Sequence, residues 1–175
     1  MYVPVILGTA REGRQSEKVA RFILSEAMNA GFESEILDVR DYRLEATDRT
    51  LTTPLAKGYS EKIRKAAAII IVSPEYNHGY PGELKMMLDM LYQDYWGKPL
   101  GICGVSSGPL GGARVVEQLR LVAVELRMQN MREALYFPMV QDIFEENGQV
   151  KDKEAWGRRA KKFFDELSAR IARGG

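Results

Sequence analysis

Ala67-Ala68-Ile69-Ile70-Ile71-Val72-Ser73 is the most strand-like run in the chain, and Pro74 stops it. The run is apolar throughout and rich in β-branched residues. A strand with one wet face alternates apolar and polar residues. A run without alternation suits a strand buried on both faces, as in parallel sheets covered by helices. Upstream, Val3 to Gly8 (V-P-V-I-L-G) reads as a second buried strand, with Pro4 near its start, where a missing N–H is tolerated. Ser16 then precedes a helical pattern in which Val19, Phe22, Ile23, Ala27 and Ala30 recur at spacings of three and four, and Gly31 is the stop signal. Ser34 to Val39 reads as another strand. Strand, helix and strand in so short a span imply a parallel pair.

Downstream of Pro74 the pattern continues. Pro81 suits the first turn of a helix running to Asp94, with Leu84, Met87, Leu88 and Leu91 in one stripe and Met86 and Met90 outside it. Pro99 to Ser106 is a further buried strand, followed by a Gly-rich loop and a helix from Ala113 to Met128. Leu135 to Val140 is expected as a fifth strand. Trp156, Ala160, Phe163, Phe164, Leu167 and Ile171 put a last helix on the core, with its basic residues opposite. Residues 40–57 are polar and without a clear period, which is long for a loop in a compact domain, and only Glu61 to Ala66 is expected to be helical before the Ala67 strand. The whole is an α/β fold, a doubly wound three-layer sandwich of five strands, expected as one domain over residues 1–175.

Composition narrows the chemistry. The 175 residues carry 25 basic and 24 acidic side chains, a net charge of +1, so no bulk field draws the chain to nucleic acid or an anionic membrane. Cys103 and His78 are the single cysteine and histidine, which leaves no internal disulfide and no Cys/His zinc cluster. No apolar run approaches membrane length and no signal peptide is legible, so a cytoplasmic protein is expected. Cys103 lies in a strand and reads as packing.

In such sheets ligands bind at the C-terminal strand ends. Three loops there are chemically unusual. Gly8 to Ser16 (G-T-A-R-E-G-R-Q-S) offers the Thr9 and Ser16 hydroxyls, the Arg11 and Arg14 guanidinium groups and a helix N-terminus, a set that suits a phosphate. The same residues also read as a capping Ser16 and two solvated arginines. The loop is neither a dinucleotide fingerprint nor a P-loop. Ser73 to Gly82 (S-P-E-Y-N-H-G-Y-P-G) is stiff, and Tyr76 and Asn77 could meet a planar heterocycle. Ser106 to Gly112 (S-S-G-P-L-G-G) allows close backbone approach.

G-T-A-R-E-G-R-Q-S, then S-P-E-Y-N-H-G-Y-P-G-E-L-K-M-M-L-D, then the Ser/Gly-rich loop leading into G-A-R, together resemble the NADPH-dependent FMN reductase family, which includes quinone, chromate and azo-dye reductases. The resemblance implies a flavodoxin-like fold with strand order 2-1-3-4-5. It implies FMN held by Thr9, Arg11 and Ser16 at the 5′-phosphate with Gln15, Glu17 and Lys18 nearby. Pro74, Glu75, Tyr76 and Asn77 would run along the isoalloxazine, and Ser107, Gly108 and Gly111 would meet its far edge. It implies ping-pong hydride transfer from NADPH or NADH through flavin N5 to a quinone, azo compound, metal oxyanion or free flavin, with no catalytic side chain. It also implies a dimer, or a tetramer, through the Pro81–Asp94 helix. Met86 stands where the family commonly has Asn, and Met86 and Met90 suggest a second buried face. A flavodoxin-type electron carrier is the alternative. Arg43, Arg49 and Arg114 are candidates for the extra phosphate of NADPH. His78 reads as a surface residue or a hydrogen-bonding spacer in its turn, with proton donation to the acceptor as the alternative.

Overall fold

The structure, a computed structural model, describes residues 1–43 and 53–174. Its strands are β1 (Val5–Leu7), β2 (Ile36–Asp38), β3 (Ile69–Pro74), β4 (Pro99–Val105), β5 (Gln129–Asn130) and β6 (Leu135–Phe137). Its α-helices are α1 (Ser16–Asn29), α2 (Pro54–Lys65), α3 (Gly82–Asp89), α4 (Ala113–Glu125) and α5 (Lys153–Gly174). Every pairing between these strands is parallel, in the order β2-β1-β3-β4, with β5 and β6 both completing the edge beside β4. The expected order 2-1-3-4-5 therefore holds, but the fifth position is shared by two short strands. Pro138 and the left-handed Met139 (φ 46°) end β6 at Phe137, short of Val140.

The alternation of side chains along β3 divides the core. Ile70 and Val72 join Val19, Ile23, Phe163 and Phe164 under α1 and α5. Ile69 and Ile71 join Ile63, Leu84, Leu88 and Leu119 under α2, α3 and α4. Helices thus cover both faces of the sheet, and β3 and β4 are buried almost throughout, as an unbroken apolar run requires. Gly101 of β4 is needed for this fit, because a Cβ there would lie 2.4 Å from the Phe163 ring.

Three helices differ from expectation. α2 begins at Pro54, seven residues before Glu61, with Pro at its first position and the Thr53 hydroxyl accepting the Ala56 N–H at 3.1 Å. Its buried stripe (Ala56, Tyr59, Ser60, Ile63) mixes hydroxyls with apolar groups, which hid the period. α3 ends at Asp89, not Asp94, and a 3-10 turn follows over Gln93–Tyr95. Met90, expected on a second buried face, is fully buried in this chain's own core, whereas Met86 is half-buried. α4 likewise stops at Glu125, three residues before Met128. Residues 44–52, including Arg49, lie outside the described residues.

Register positions the site. Leu7 of β1 pairs with Val72 of β3, and Val72 with Cys103 of β4. The three strands therefore end at nearly the same level, and the loops that follow them emerge at one edge of the sheet.

Candidate functional site

Those loops enclose a cavity of about 350 Å3. Of the residues expected to hold a cofactor, Thr9, Arg11, Gln15, Ser16, Pro74, Glu75, Tyr76 and Ser107 line it. Glu17, Lys18, Asn77, Gly108 and Gly111 stand outside that lining. Glu12, Gly13, Arg14, Val105, Ser106 and Val140 complete it.

The first loop is braced from within. Arg14 was a phosphate candidate on residue type, but its guanidinium is spent inside the protein. It donates to the Thr9 carbonyl at 2.5 Å, to both Asp38 oxygens and to Glu17 at 3.3 Å, and its side chain is only 4% exposed. The Asp38 bond holds Arg14 more firmly protonated, against the pull of its burial. Burial pushes the Asp38 carboxyl up, but the Arg14 guanidinium and the Arg40 N–H outweigh it and hold the group below its ordinary range. Arg40 donates to the Ala10 and Arg11 carbonyls at 3.1 and 2.7 Å. Glu17 is shared between Arg14 and Arg21, and its amide and that of Lys18 bond back to Arg14 and Gln15.

Ser16 is different. It does not cap α1: it is the first residue of that helix, and Gln15 at the cap position contributes no side-chain bond. Among the described residues its hydroxyl oxygen is buried with no hydrogen-bond partner. A buried hydroxyl left unpaired is costly and rare. This one sits at a helix N-terminus, the positive end of the helix dipole, in a residue on the wall of the cavity. Arg11, exposed, stands at the same wall with its guanidinium 5.9 Å from the Tyr76 ring centroid. An orphan donor, a helix N-terminus and an uncommitted guanidinium fit a phosphate group.

The second loop turns tightly. Tyr76 and Gly79 exchange backbone bonds of 3.0 and 2.9 Å across Asn77 (φ 50°) and His78 (φ 65°), the double left-handed pattern of a two-residue hairpin. Both side chains are therefore carried on an exposed tip. Glu75 has its carboxylate turned to α4, accepting the Arg114 N–H at 3.1 Å and its guanidinium at 2.8 Å. Burial opposes the charge on Glu75, but these bonds keep its carboxyl below the usual range. Arg114, a candidate for NADPH selection, is thus paired with Glu75 at the surface. The third loop is stitched to the strand edge by Ser106 N–H to Phe137, Val140 N–H to Ser106 and Met139 N–H to Gly108, each 3.1 Å. Gly111 is buried there, and a Cβ on it would meet the Pro138 nitrogen at 2.9 Å. Burial pushes the Cys103 thiol far up, which suits a packing role. Among the described residues no cluster of metal-ligating side chains occurs.

A family model described as NADPH-dependent FMN reductase matches residues 1–142. The chain belongs to the NADPH-dependent FMN reductase family. It is 32% identical to a quinone reductase of Pseudomonas putida over 160 residues, covering 86% of this chain and 85% of that one. It is 34% identical to an NAD(P)H-dependent FMN reductase of Schizosaccharomyces pombe over 135 residues, 71% of this chain and 66% of that one. Among solved structures, the flavoenzyme NAD(P)H:acceptor oxidoreductase FerB of Paracoccus denitrificans superposes with a TM-score of 0.76 at 21% identity, over 97% of this chain and 98% of that one. A flavodoxin from the domain Archaea superposes at 0.65 with 12% identity, over 97% and 99%. These two likenesses establish the flavodoxin-like fold. As a member of the family, the chain is an oxidoreductase with FMN as its cofactor and NAD(P)H as its electron donor.

Some of the site escaped the sequence. Val140 reaches the cavity only because the edge strand closes over β4, which no local pattern reports. Glu83, described below, sits in the first turn of α3, where an acidic residue is usual for dipole reasons alone.

Proposed function

We propose that the cavity binds FMN with its 5′-phosphate at the N-terminus of α1, and that the protein passes electrons from NAD(P)H to a small acceptor such as a quinone, azo compound, metal oxyanion or free flavin. The observation that carries this reading is the buried, unpartnered hydroxyl of Ser16, a residue that lines the cavity together with Arg11 at the start of α1. Ser16 donates its O–H to the phosphate, the positive end of the α1 dipole favours its charge, and Arg11 neutralises it. Tyr76, its phenol tied to Thr9 at 3.0 Å, offers its ring to the cavity. Glu75 turns its carboxylate away, so the 74–77 backbone is what meets the isoalloxazine, with Ser107 and Gly108 at the far edge. Gln15, Glu17 and Lys18 are neighbours of the phosphate through the helix start, and Gly111 shapes the third loop.

Bound FMN supplies the chemistry, carrying hydride from NAD(P)H through its N5. Donor and acceptor use the same opening in turn, a ping-pong order that needs no side-chain nucleophile. With Arg114 engaged by Glu75, Arg43 is the described candidate for NADPH selection. The chain acts as one domain in the cytoplasm, and as a homodimer or tetramer built on the α3 face, where Met86 is half-buried and Leu121 and Val124 of the neighbouring α4 are each 67% exposed.

The test is reconstitution with FMN followed by anaerobic mixing with NADPH. Rapid bleaching of the flavin, then recolouring by a quinone, is expected. A folded protein that takes up FMN but is not bleached by NADPH would favour an electron carrier, and one that takes up none would end this reading.

A further inference from the structure

Glu83 lies outside the cavity lining, in the first turn of α3, yet it holds the wall in place. Its Oε1 accepts the Ala10 N–H at 2.9 Å and the Thr9 hydroxyl at 3.2 Å. Burial opposes its charge, but those two bonds and its own amide keep the carboxyl below the usual glutamate range. Thr9 is fully buried, and of the two side-chain oxygens its one proton can reach, the Tyr76 phenol and the Glu83 carboxylate, the carboxylate can only accept, so the proton goes there. With that proton spent on Glu83, the Tyr76 phenol 3.0 Å away must donate to Thr9, and the Arg11 N–H donates to the same oxygen at 3.3 Å. The carboxylate therefore sets the direction of a chain that runs Tyr76 to Thr9 to Glu83. The chain joins the first loop to the second loop and to α3, both more than sixty residues further along the sequence.

We propose that Glu83 is a positioning residue of the FMN site, fixing through Thr9 both the orientation of Tyr76 and the course of the first loop. The proposal rests on the FMN reading above. An acidic residue that merely complemented the α3 dipole would bond only its own helix; this one also bonds a segment more than seventy residues away. Two consequences follow from the direction of the chain. Thr9 has no proton for an anion in the cavity, so the phosphate is left to Ser16, Arg11 and the positive end of α1. The phenol proton of Tyr76 points into the protein, so the ring is held against the cavity beneath the Arg11 guanidinium.

The experiment compares Glu83→Ala, Glu83→Gln, Tyr76→Phe and the Glu83→Ala/Tyr76→Phe pair by FMN affinity, read as quenching of flavin fluorescence, and by amide hydrogen exchange of the apo-protein. Glu83→Ala should weaken FMN about tenfold and speed exchange at Ala10 by about tenfold or more, since a donor loses its acceptor. Glu83→Gln keeps an acceptor oxygen and should stay within about threefold on both measures. Adding Tyr76→Phe to Glu83→Ala should cost little more than the worse single variant, because two residues that do not touch then act as one unit. Thr9→Val cuts the chain in its middle and should match Glu83→Ala; it carries the test if that variant does not fold. Unchanged FMN affinity in Glu83→Ala, or losses that multiply in the double variant, would overturn the proposal. If the wild-type protein bound no FMN, the functional reading would fall and the positioning role with it, while Ala10 exchange would still report whether the brace exists.

Discussion

Replacing Ser16 by alanine should move the apo-protein and the FMN complex in opposite directions. In the structure the Ser16 hydroxyl is buried and unpaired, and such a group costs about 1–3 kcal/mol relative to a satisfied one. Alanine removes that cost, keeps good helix propensity and leaves no cap behind, because Ser16 makes no capping bond. The apo-protein should therefore be unchanged or more stable by up to about 1 kcal/mol. In the proposed complex the same hydroxyl would donate to a phosphate, a charge-assisted bond of about 1.5–3 kcal/mol. Its loss should raise the FMN dissociation constant about ten- to a hundredfold. Riboflavin, which lacks the phosphate, should bind the variant as it binds the wild type. Thermal unfolding of the apo-protein and fluorescence titrations with FMN and riboflavin measure all three quantities. A Ser16→Ala apo-protein less stable than wild type would mean the hydroxyl already has a partner in the fold. Equal losses for FMN and riboflavin would move the phosphate away from α1.

Other consequences of the geometry are as direct. Arg11→Ala should weaken FMN by about 1.5–3 kcal/mol with little effect on unfolding, since Arg11 is exposed. Arg14→Met should instead destabilise the fold by about 3 kcal/mol, because it strands Asp38 and the Thr9 carbonyl, and urea unfolding would show it. The Asp38 carboxyl is depressed in the fold, so its contribution is complete above the ordinary aspartate value of 3.8 and is lost as pH falls through the lower folded value. The acid limb of the wild-type stability curve should therefore flatten in Arg14→Met. Gly101→Ala should cost about 1–3 kcal/mol by driving a methyl into Phe163, and Phe163→Leu in the same chain should return part of it if the cause is steric.

Much of the architecture was legible because its signals are local. The unbroken apolar run at β3, the three-and-four spacing of α1 and the Gly31 stop (φ 86°) depend only on neighbouring residues and on burial. The start of α2 was available in Thr53-Pro54 but was masked by a stripe in which Tyr59 and Ser60 are buried among apolar groups. The end of β6 was not available, since the left-handed Met139 follows from backbone bonds to the third loop.

The sequence by itself determined the layered α/β fold, the three loops at the strand ends and the residue types that suit a flavin phosphate. Periodicity and turn chemistry are carried by adjacent residues, and the family motifs are contiguous. Tertiary structure alone decided which polar groups remain free for a ligand. Arg14 and Ser16 look equally suited to a phosphate along the chain. The fold spends the Arg14 guanidinium on Asp38 and Thr9 and leaves the Ser16 hydroxyl unpaired. Hydrogen-bonding capacity is shared among groups brought together from distant segments, so the remainder can be read only once every partner is in place.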